Sequence, residues 1–119
     1  MTVKDFFYSK TWEELNKPFQ KHHVVNAFEE FKKEFDRVDF VISNAALGVL
    51  KPALDMTLKH FRRCMETNAL ALNTLAQNAV PMMTEGGCLI GLTSLGSERA
   101  IPNYTFIGAS KAALEALAR

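Results

Sequence analysis

The apolar positions divide the chain into segments of two periods. In HHVVNAFEEFKKEF, Val24, Phe28, Phe31 and Phe35 recur at helical spacing while Glu and Lys take the other face, which predicts an amphipathic helix over 22–36. VDFVI, residues 38–42, is a short β-branched run suited to a strand buried on both faces. The small-residue turn SNAALG follows it. A second helix is predicted over 57–80, ending near Pro81, because Phe61, Met65, Asn68, Leu72, Leu75 and Ala79 step by four and three onto one face. EGG makes a turn before a second apolar run, CLIGLT, at 88–93. A loop rich in Ser and Gly then passes Pro102 and Asn103 into GASKAALEALAR, a strong helix former, so the last helix spans 104–119. Residues 1–21 mix aromatics with charges and have no clean period, although Thr11 and Glu14 in TWEEL have the spacing of a capping box.

The order helix, strand, helix, strand, helix places the chain in the α/β class. A strand–helix–strand unit of this length implies two parallel strands joined by a right-handed crossover. Ligands of such sheets gather at the carboxyl ends of the strands, here SNAA and TSLGS. Length and charge narrow the options further. The 119 residues make one small domain, and 14 basic against 13 acidic residues leave no excess to attract nucleic acid. No apolar run approaches the roughly 18–20 residues of a membrane span, and MTVKDFFYSK lacks the apolar core of a signal peptide. Cys64 and Cys88 stand apart from each other and from the histidines, which reads as two reduced thiols packed as small apolar groups in a cytosolic protein. His22, His23 and His60 have no metal-site spacing and read as surface residues. Lys32 and Lys33 belong to a solvated face, and Met82 and Met83 to gap-filling beside Pro81.

Three groups of residues could carry chemistry. Asn68 is the one amide in an apolar stripe, and a buried amide without partners costs about 1–3 kcal/mol, so something must hydrogen-bond it. Its spacing alone fits a structural amide satisfied by neighbouring backbone. Ser94 and Ser97 follow the second strand, where hydroxyls usually satisfy loop backbone but where a carbonyl substrate would also find donors. Tyr104 and Lys111 stand seven positions apart, which returns them to nearly one face of a helix. An ammonium near a phenol stabilises the phenolate and makes the phenol a better proton donor.

In combination these motifs resemble the short-chain dehydrogenase/reductase family. VDFVISNAALG is similar to its fourth strand and Asn-Ala motif, ETNALALNTLAQ to the helix carrying the active-site Asn, and GLTSLGS to the strand and serine before the catalytic tyrosine. The motifs keep the family's order, and the resemblance covers residues 22–119. Most of the family sets Tyr four residues before Lys, where this chain has Ile107. Tyr seven before Lys, with SNAALGVLKP and TSLGSERAIPNYTFIGASKAALEALAR, resembles the NADPH-dependent enoyl-acyl-carrier-protein reductase branch. The resemblance implies a partial Rossmann-like three-layer fold. It also implies reduction of a trans-2-enoyl thioester, carried by acyl carrier protein or coenzyme A, in fatty acid synthesis, with NADPH as cofactor and NADH not excluded. Tyr104, Lys111, Ser94 and Asn68 would be the catalytic residues. Asn44, Ala45, Lys111 and Tyr104 would bind cofactor, and Ile101 and Pro102 would shape the entrance. The helices over 57–80 and 104–119 would pack between subunits of a homo-oligomer.

Against the family pattern, residues 1–23 contain no glycine and therefore no phosphate-binding Gly-rich turn. The expected organisation is an irregular segment over 1–21 and, over 22–119, a partial domain lacking the family's N-terminal and C-terminal parts. Two alternatives remain beside the enoyl reductase reading. One is a non-catalytic fragment that acts by association with itself or a full-length relative. The other is a ketone reductase of the same family, which Ile107 disfavours.

Overall fold

The computed structural model describes residues 21–119, so the Thr11–Glu14 spacing lies outside the described part. Helix α1 (Lys21–Lys32) follows the Val24, Phe28, Phe31 stripe but stops before the expected 36. The chain leaves it through a turn in which the Glu34 and Phe35 amides donate to the Phe31 carbonyl at 3.1 and 3.0 Å, and Phe35 stacks on Phe31 with centroids 4.7 Å apart. Phe28 and Phe31 are half-buried and Phe35 is exposed, so this stripe forms the edge of a core and not its centre.

Strands β1 (Phe40–Ser43) and β2 (Cys88–Gly91) pair in parallel, with Phe40 opposite Cys88 and Ser43 opposite Gly91. Between them run α2 (Leu58–Met65), a π-helical turn (Glu66–Leu70), α3 (Ala71–Ala79) and a 3-10 turn (Val80–Met82). Helix α4 (Thr105–Ala118) follows β2. The parallel α/β arrangement expected from the sequence is thus observed. The expectation of a strand buried on both faces is corrected: Phe40 and Ile42 are 70% and 60% exposed, while Ser43 faces the helices and is buried. Ile90 of β2 is exposed beside them. Helices cover one face of this sheet only, so the described residues form two of the three expected layers. The core lies under the covered face, where Ala69, Leu72 and Leu114 meet and Leu89 and Ala113 pack against them.

The stepping pattern predicts one unbroken helix over 57–80, and the structure departs from it in the middle. The Ala71 amide reaches back five residues to the Glu66 carbonyl, which widens the ladder by one residue. Thr67, Asn68 and Ala69 are buried in succession across this widened turn. Upstream of the turn the inward position passes to Cys64, which is fully buried with its thiol pKa raised by that burial. Phe61, expected inside, is partly exposed and meets Phe106 edge-on at 5.4 Å.

Asn68 gives the physical reason. It is only 2% exposed, and its amide is engaged on three sides. Oδ1 accepts from the Leu47 amide at 2.7 Å, and Nδ2 donates to the Leu47 carbonyl at 2.8 Å and to Ser110 Oγ at 2.9 Å. Ser110, completely buried, passes its own proton to the Ile107 carbonyl at 2.7 Å. One side chain thereby ties the loop after β1 to the middle of α4, and the π-helical turn supplies the residue whose side chain makes that tie.

Smaller expectations divide. Cys88 is exposed and not packed as an apolar group. His23 is half-buried, as is His60, which closes a capping box at the start of α2. There the His60 amide donates to Thr57 Oγ1 at 3.4 Å and the Thr57 amide donates to His60 Nδ1 at 3.2 Å. Met82 is buried and Met83 half-buried beside Pro81, as gap-filling requires. Lys32 and Lys33 are exposed and paired with Glu29 and Glu30.

Replacing Asn68 tests the tie. Asn68→Ala leaves the Leu47 backbone and Ser110 without partners, and the expected loss is about 2–4 kcal/mol in urea unfolding. Asn68→Asp keeps the shape but cannot donate, so it should recover little of that loss. A loss below about 1 kcal/mol for Asn68→Ala would show that the loop and α4 are held by other contacts.

Candidate active site

The carboxyl ends of β1 and β2 lie side by side, joined by the Leu92 amide donating to the Ser43 carbonyl at 3.1 Å. After β2 the chain runs through Thr93 and Ser94 into a 3-10 turn (Leu95–Ser97), closed by the Ser97 amide on the Ser94 carbonyl at 3.0 Å. A second turn brings the chain to α4, with the Tyr104 amide on the Ile101 carbonyl at 3.2 Å. Pro102 and Asn103 occupy its corners, and Asn103 takes a φ of 62°. Asparagine accepts that left-handed conformation more readily than most residues, as position i+2 of such a turn demands. The Asn103 carbonyl also accepts from the Lys51 amide at 3.2 Å, so the loops after both strands are bonded to each other.

Tyr104 is the residue immediately before α4, not the first residue inside it. Its hydroxyl lies 3.3 Å from Ser94 Oγ. Seven residues on, Lys111 is 6% exposed and its Nζ donates to the Leu92 carbonyl at 2.6 Å. Burial lowers the Lys111 pKa, since taking an ammonium out of water disfavours the charged form. A carbonyl two residues before Ser94 thus holds the lysine, while Ser94 itself meets the tyrosine. The expected Tyr, Lys and Ser are brought to one strand end.

The other expected residues divide. Asn68 stands behind the site, its amide spent on Leu47 and Ser110. Asn44 and Ala45 lie on the exposed stretch after β1, at the neighbouring strand end, and join none of these hydrogen bonds. Ser97 Oγ donates to the Ser94 carbonyl at 2.8 Å, the loop-satisfying role its position suggested. Ile107, which occupies the usual family position for tyrosine, is buried against Gly48, where a Cβ would come within 2.2 Å of Ile107 Cδ1. Any side chain at 48 would collide with Ile107 while that loop stays in place.

The sequence reading did not identify Ser110 or Glu115. The available signals were a serine directly before the lysine, on the buried face of α4, and a glutamate four residues after it. Thr93 Oγ1 donates to Glu115 Oε1, fastening the end of β2 to the last turns of α4. The Ser97 and Thr93 hydroxyls lower the Glu115 pKa, with Ser97 the larger cause. Ser97 has one proton and also bonds the Ser94 carbonyl, so Thr93 is the donor that the geometry commits to Glu115.

A carboxylate whose pKa is lowered by folding stabilises the fold above its unfolded pKa, near 4.3 for Glu, and loses that contribution as pH falls through its folded value. The urea midpoint should therefore fall as the pH drops below about 4, and Glu115→Gln should flatten that part of the curve. Parallel curves for the two proteins would mean that Glu115 contributes nothing to acid stability.

Comparison with known proteins assigns the family. The profile of the enoyl-(acyl carrier protein) reductase family matches residues 20–119. A 1-cyclohexenylcarbonyl-CoA reductase of Streptomyces collinus is 36% identical over 96 residues, covering 81% of this chain and 34% of that protein. The enoyl-[acyl-carrier-protein] reductase [NADH] FabI of Rickettsia felis is 34% identical over 97 residues, covering 78% and 37%. Among solved structures, the Anaplasma phagocytophilum enoyl-(acyl-carrier-protein) reductase in complex with NAD superimposes with a TM-score of 0.77 at 30% identity, covering 82% of this chain and 39% of that one. The Bacillus cereus enoyl-acyl carrier protein reductase with NADP+ and indole naphthyridinone gives a TM-score of 0.76 at 33% identity, covering 82% and 39%. The chain spans little more than a third of the length of these relatives. Its two parallel strands and covering helices are a portion of their Rossmann-like sheet, and the chain belongs to the enoyl-(acyl carrier protein) reductase family.

Proposed function

We propose that this chain carries the tyrosine–lysine centre of a nicotinamide-dependent reductase acting on trans-2-enoyl thioesters. The observation that carries the reading is the joint placement of Tyr104 on Ser94 and of Lys111 on the Leu92 carbonyl at one strand end. The residues fit a dinucleotide. Lys111 is a buried ammonium with a single hydrogen bond among the described residues, which leaves N–H groups for ribose hydroxyls. The exposed Asn44–Ala46 stretch at the adjacent strand end is made of small residues that let a flat ligand approach.

In this reading Tyr104 hydrogen-bonds the thioester carbonyl oxygen and supplies its proton as negative charge develops there. Ser94 orients the phenol. Lys111 holds the ribose and favours the phenolate by its charge. A nicotinamide held by these residues would supply the hydride chemistry at the β-carbon. Sequence resemblance favours NADPH; the Rickettsia relative carries NADH in its name, and the two solved relatives hold NAD and NADP+. Both cofactors therefore belong in the assay. The thioester would be carried by acyl carrier protein or coenzyme A in a cytosolic setting.

Self-association forms part of the proposal. Met65, Ala69 and Leu70 face Ala113, Ala116 and Leu117 across an open apolar groove between the π-helical turn and α4, a surface suited to a second copy. A second reading, a partial fold that acts only through a partner, is favoured by the bare sheet face of Phe40, Ile42 and Ile90.

Cofactor binding separates the two. Saturable quenching of NADPH or NADH fluorescence at micromolar concentration, lost in Lys111→Ala, supports the enzyme reading. Reduction of a crotonyl thioester, followed by loss of absorbance of the reduced cofactor, should then fall about 10²–10⁴-fold in Tyr104→Phe. No binding at millimolar cofactor sinks the enzyme reading for this chain and leaves the partner reading. For the groove, light scattering after size exclusion should show a dimer or larger species, converted to monomer by Leu117→Glu. A monomeric parent chain removes self-association from the proposal.

A further inference from the structure

Two glycines beside Tyr104 are explained neither by backbone conformation nor by the roles given above. Gly86 is the one glycine with positive φ among the described residues, so Gly96 and Gly108 are not there for left-handed geometry. Gly108 also lies inside α4, where glycine weakens a helix. Space accounts for both. A Cβ on Gly96 would stand 2.5 Å from Cδ1 and from Cε1 of the Tyr104 ring, and 3.3 Å from Ile101 Cδ1. A Cβ on Gly108 would stand 2.4 Å from the Gly96 carbonyl oxygen and 3.8 Å from Tyr104 Cδ1. Carbon atoms do not approach that closely, so the ring of Tyr104 rests directly on the Gly96 backbone, and that backbone rests on Gly108.

The three residues interlock. Tyr104 and Gly108 are four apart and share one side of the start of α4, tied by the Gly108 amide on the Tyr104 carbonyl at 2.7 Å. Gly96 enters from the 3-10 turn that begins just after Ser94. The depth at which the ring settles therefore sets the approach of its hydroxyl to Ser94 Oγ, which is 3.3 Å.

We propose that Gly96 and Gly108 are positioning residues that form a slot free of side chains for the Tyr104 ring, and that this slot holds the Tyr104–Ser94 contact. As a statement about the reaction, the inference rests on the function proposed above; as a statement about the contact, it stands alone. A methyl group at 96 pushes the ring outward. A methyl group at 108 pushes the strand-end loop, with Ser94, away from the ring. Either change parts the two hydroxyls without removing either.

The test uses the full chain with Tyr8→Phe, so that Tyr104 is the sole tyrosine of the two in the sequence. 3-Fluorotyrosine is incorporated and its 19F resonance recorded. Ser94→Ala should shift that resonance in the parent. In Gly96→Ala or Gly108→Ala, each confirmed as folded by circular dichroism, the resonance should no longer respond to Ser94→Ala. A folded Gly96→Ala protein that still responds like the parent overturns the proposal, as does a parent that never responds. If Gly96→Ala does not fold, Gly96→Ala with Tyr104→Ala should restore folding by relieving the clash, and failure to do so overturns it equally. In thioester reduction, Gly96→Ala should lower kcat about a hundredfold with the KM for cofactor unchanged. Absence of turnover in the parent counts against the enzyme reading alone, because the resonance still judges the slot.

Discussion

The arrangement depends on one buried amide. Asn68 can be placed in an apolar interior only if both its donors and its acceptor find partners, since an unpaired amide there costs more than a hydrogen bond returns. The structure meets the condition with backbone from one side and a serine from the other. The loop after β1 and the helix bearing Lys111 are consequently held at a fixed separation by a group that touches neither the phenol nor the ammonium. Hydrophobic contacts among Ala69, Leu72 and Leu114 press the layers together but do not fix their register. Directional bonds at Asn68 do.

From that fixed seam the site is assembled out of strand ends. Three consecutive residues past β2 each face a different residue of the last segment: Leu92 holds Lys111, Thr93 holds Glu115, and Ser94 meets Tyr104. A buried lysine is unfavourable unless its ammonium has a good acceptor, and here the acceptor is a carbonyl at the end of the sheet. The same contact that makes the burial tolerable aims the charge at the strand end.

Much of this was legible in the sequence, for a definable reason. Asn68 and Ser94 stand out as a polar residue on an apolar stripe and a hydroxyl at the close of an apolar run, and Tyr104 and Lys111 by their seven-residue spacing. The first two helices followed from apolar spacing, the strands from short apolar runs and the last helix from helix propensity. What stayed hidden depends on distant partners. No proline or glycine marks the π-helical turn at 66–70, because its cause is a loop some twenty residues away. His60 resembled a stray surface residue because a histidine rarely fills the acceptor position of a capping box. Phe40 and Ile42 read as doubly buried because a β-branched run does not say which of its faces will be covered. Gly96 read as one more loop glycine and Gly108 as an ordinary member of the last helix, since a need for empty space leaves no pattern in a sequence.

The π-helical turn bears on how the length of this chain can change. It amounts to one extra residue accommodated within a helix, and the loss of any single residue between Glu66 and Leu70 would let the ladder close into an ordinary α-helix. Local backbone bonding would improve. The helix beyond would keep its phase relative to α2, because the wide turn already spends one residue more than an α-helical turn on the same circuit, so Leu72 and Ala79 would stay in the core. A one-residue deletion within 66–70 that spares Asn68 therefore leaves the buried faces of α2 and α3 aligned, whereas one elsewhere between Thr57 and Pro81, with the wide turn kept, rotates one part of the helix by about 100° against the other.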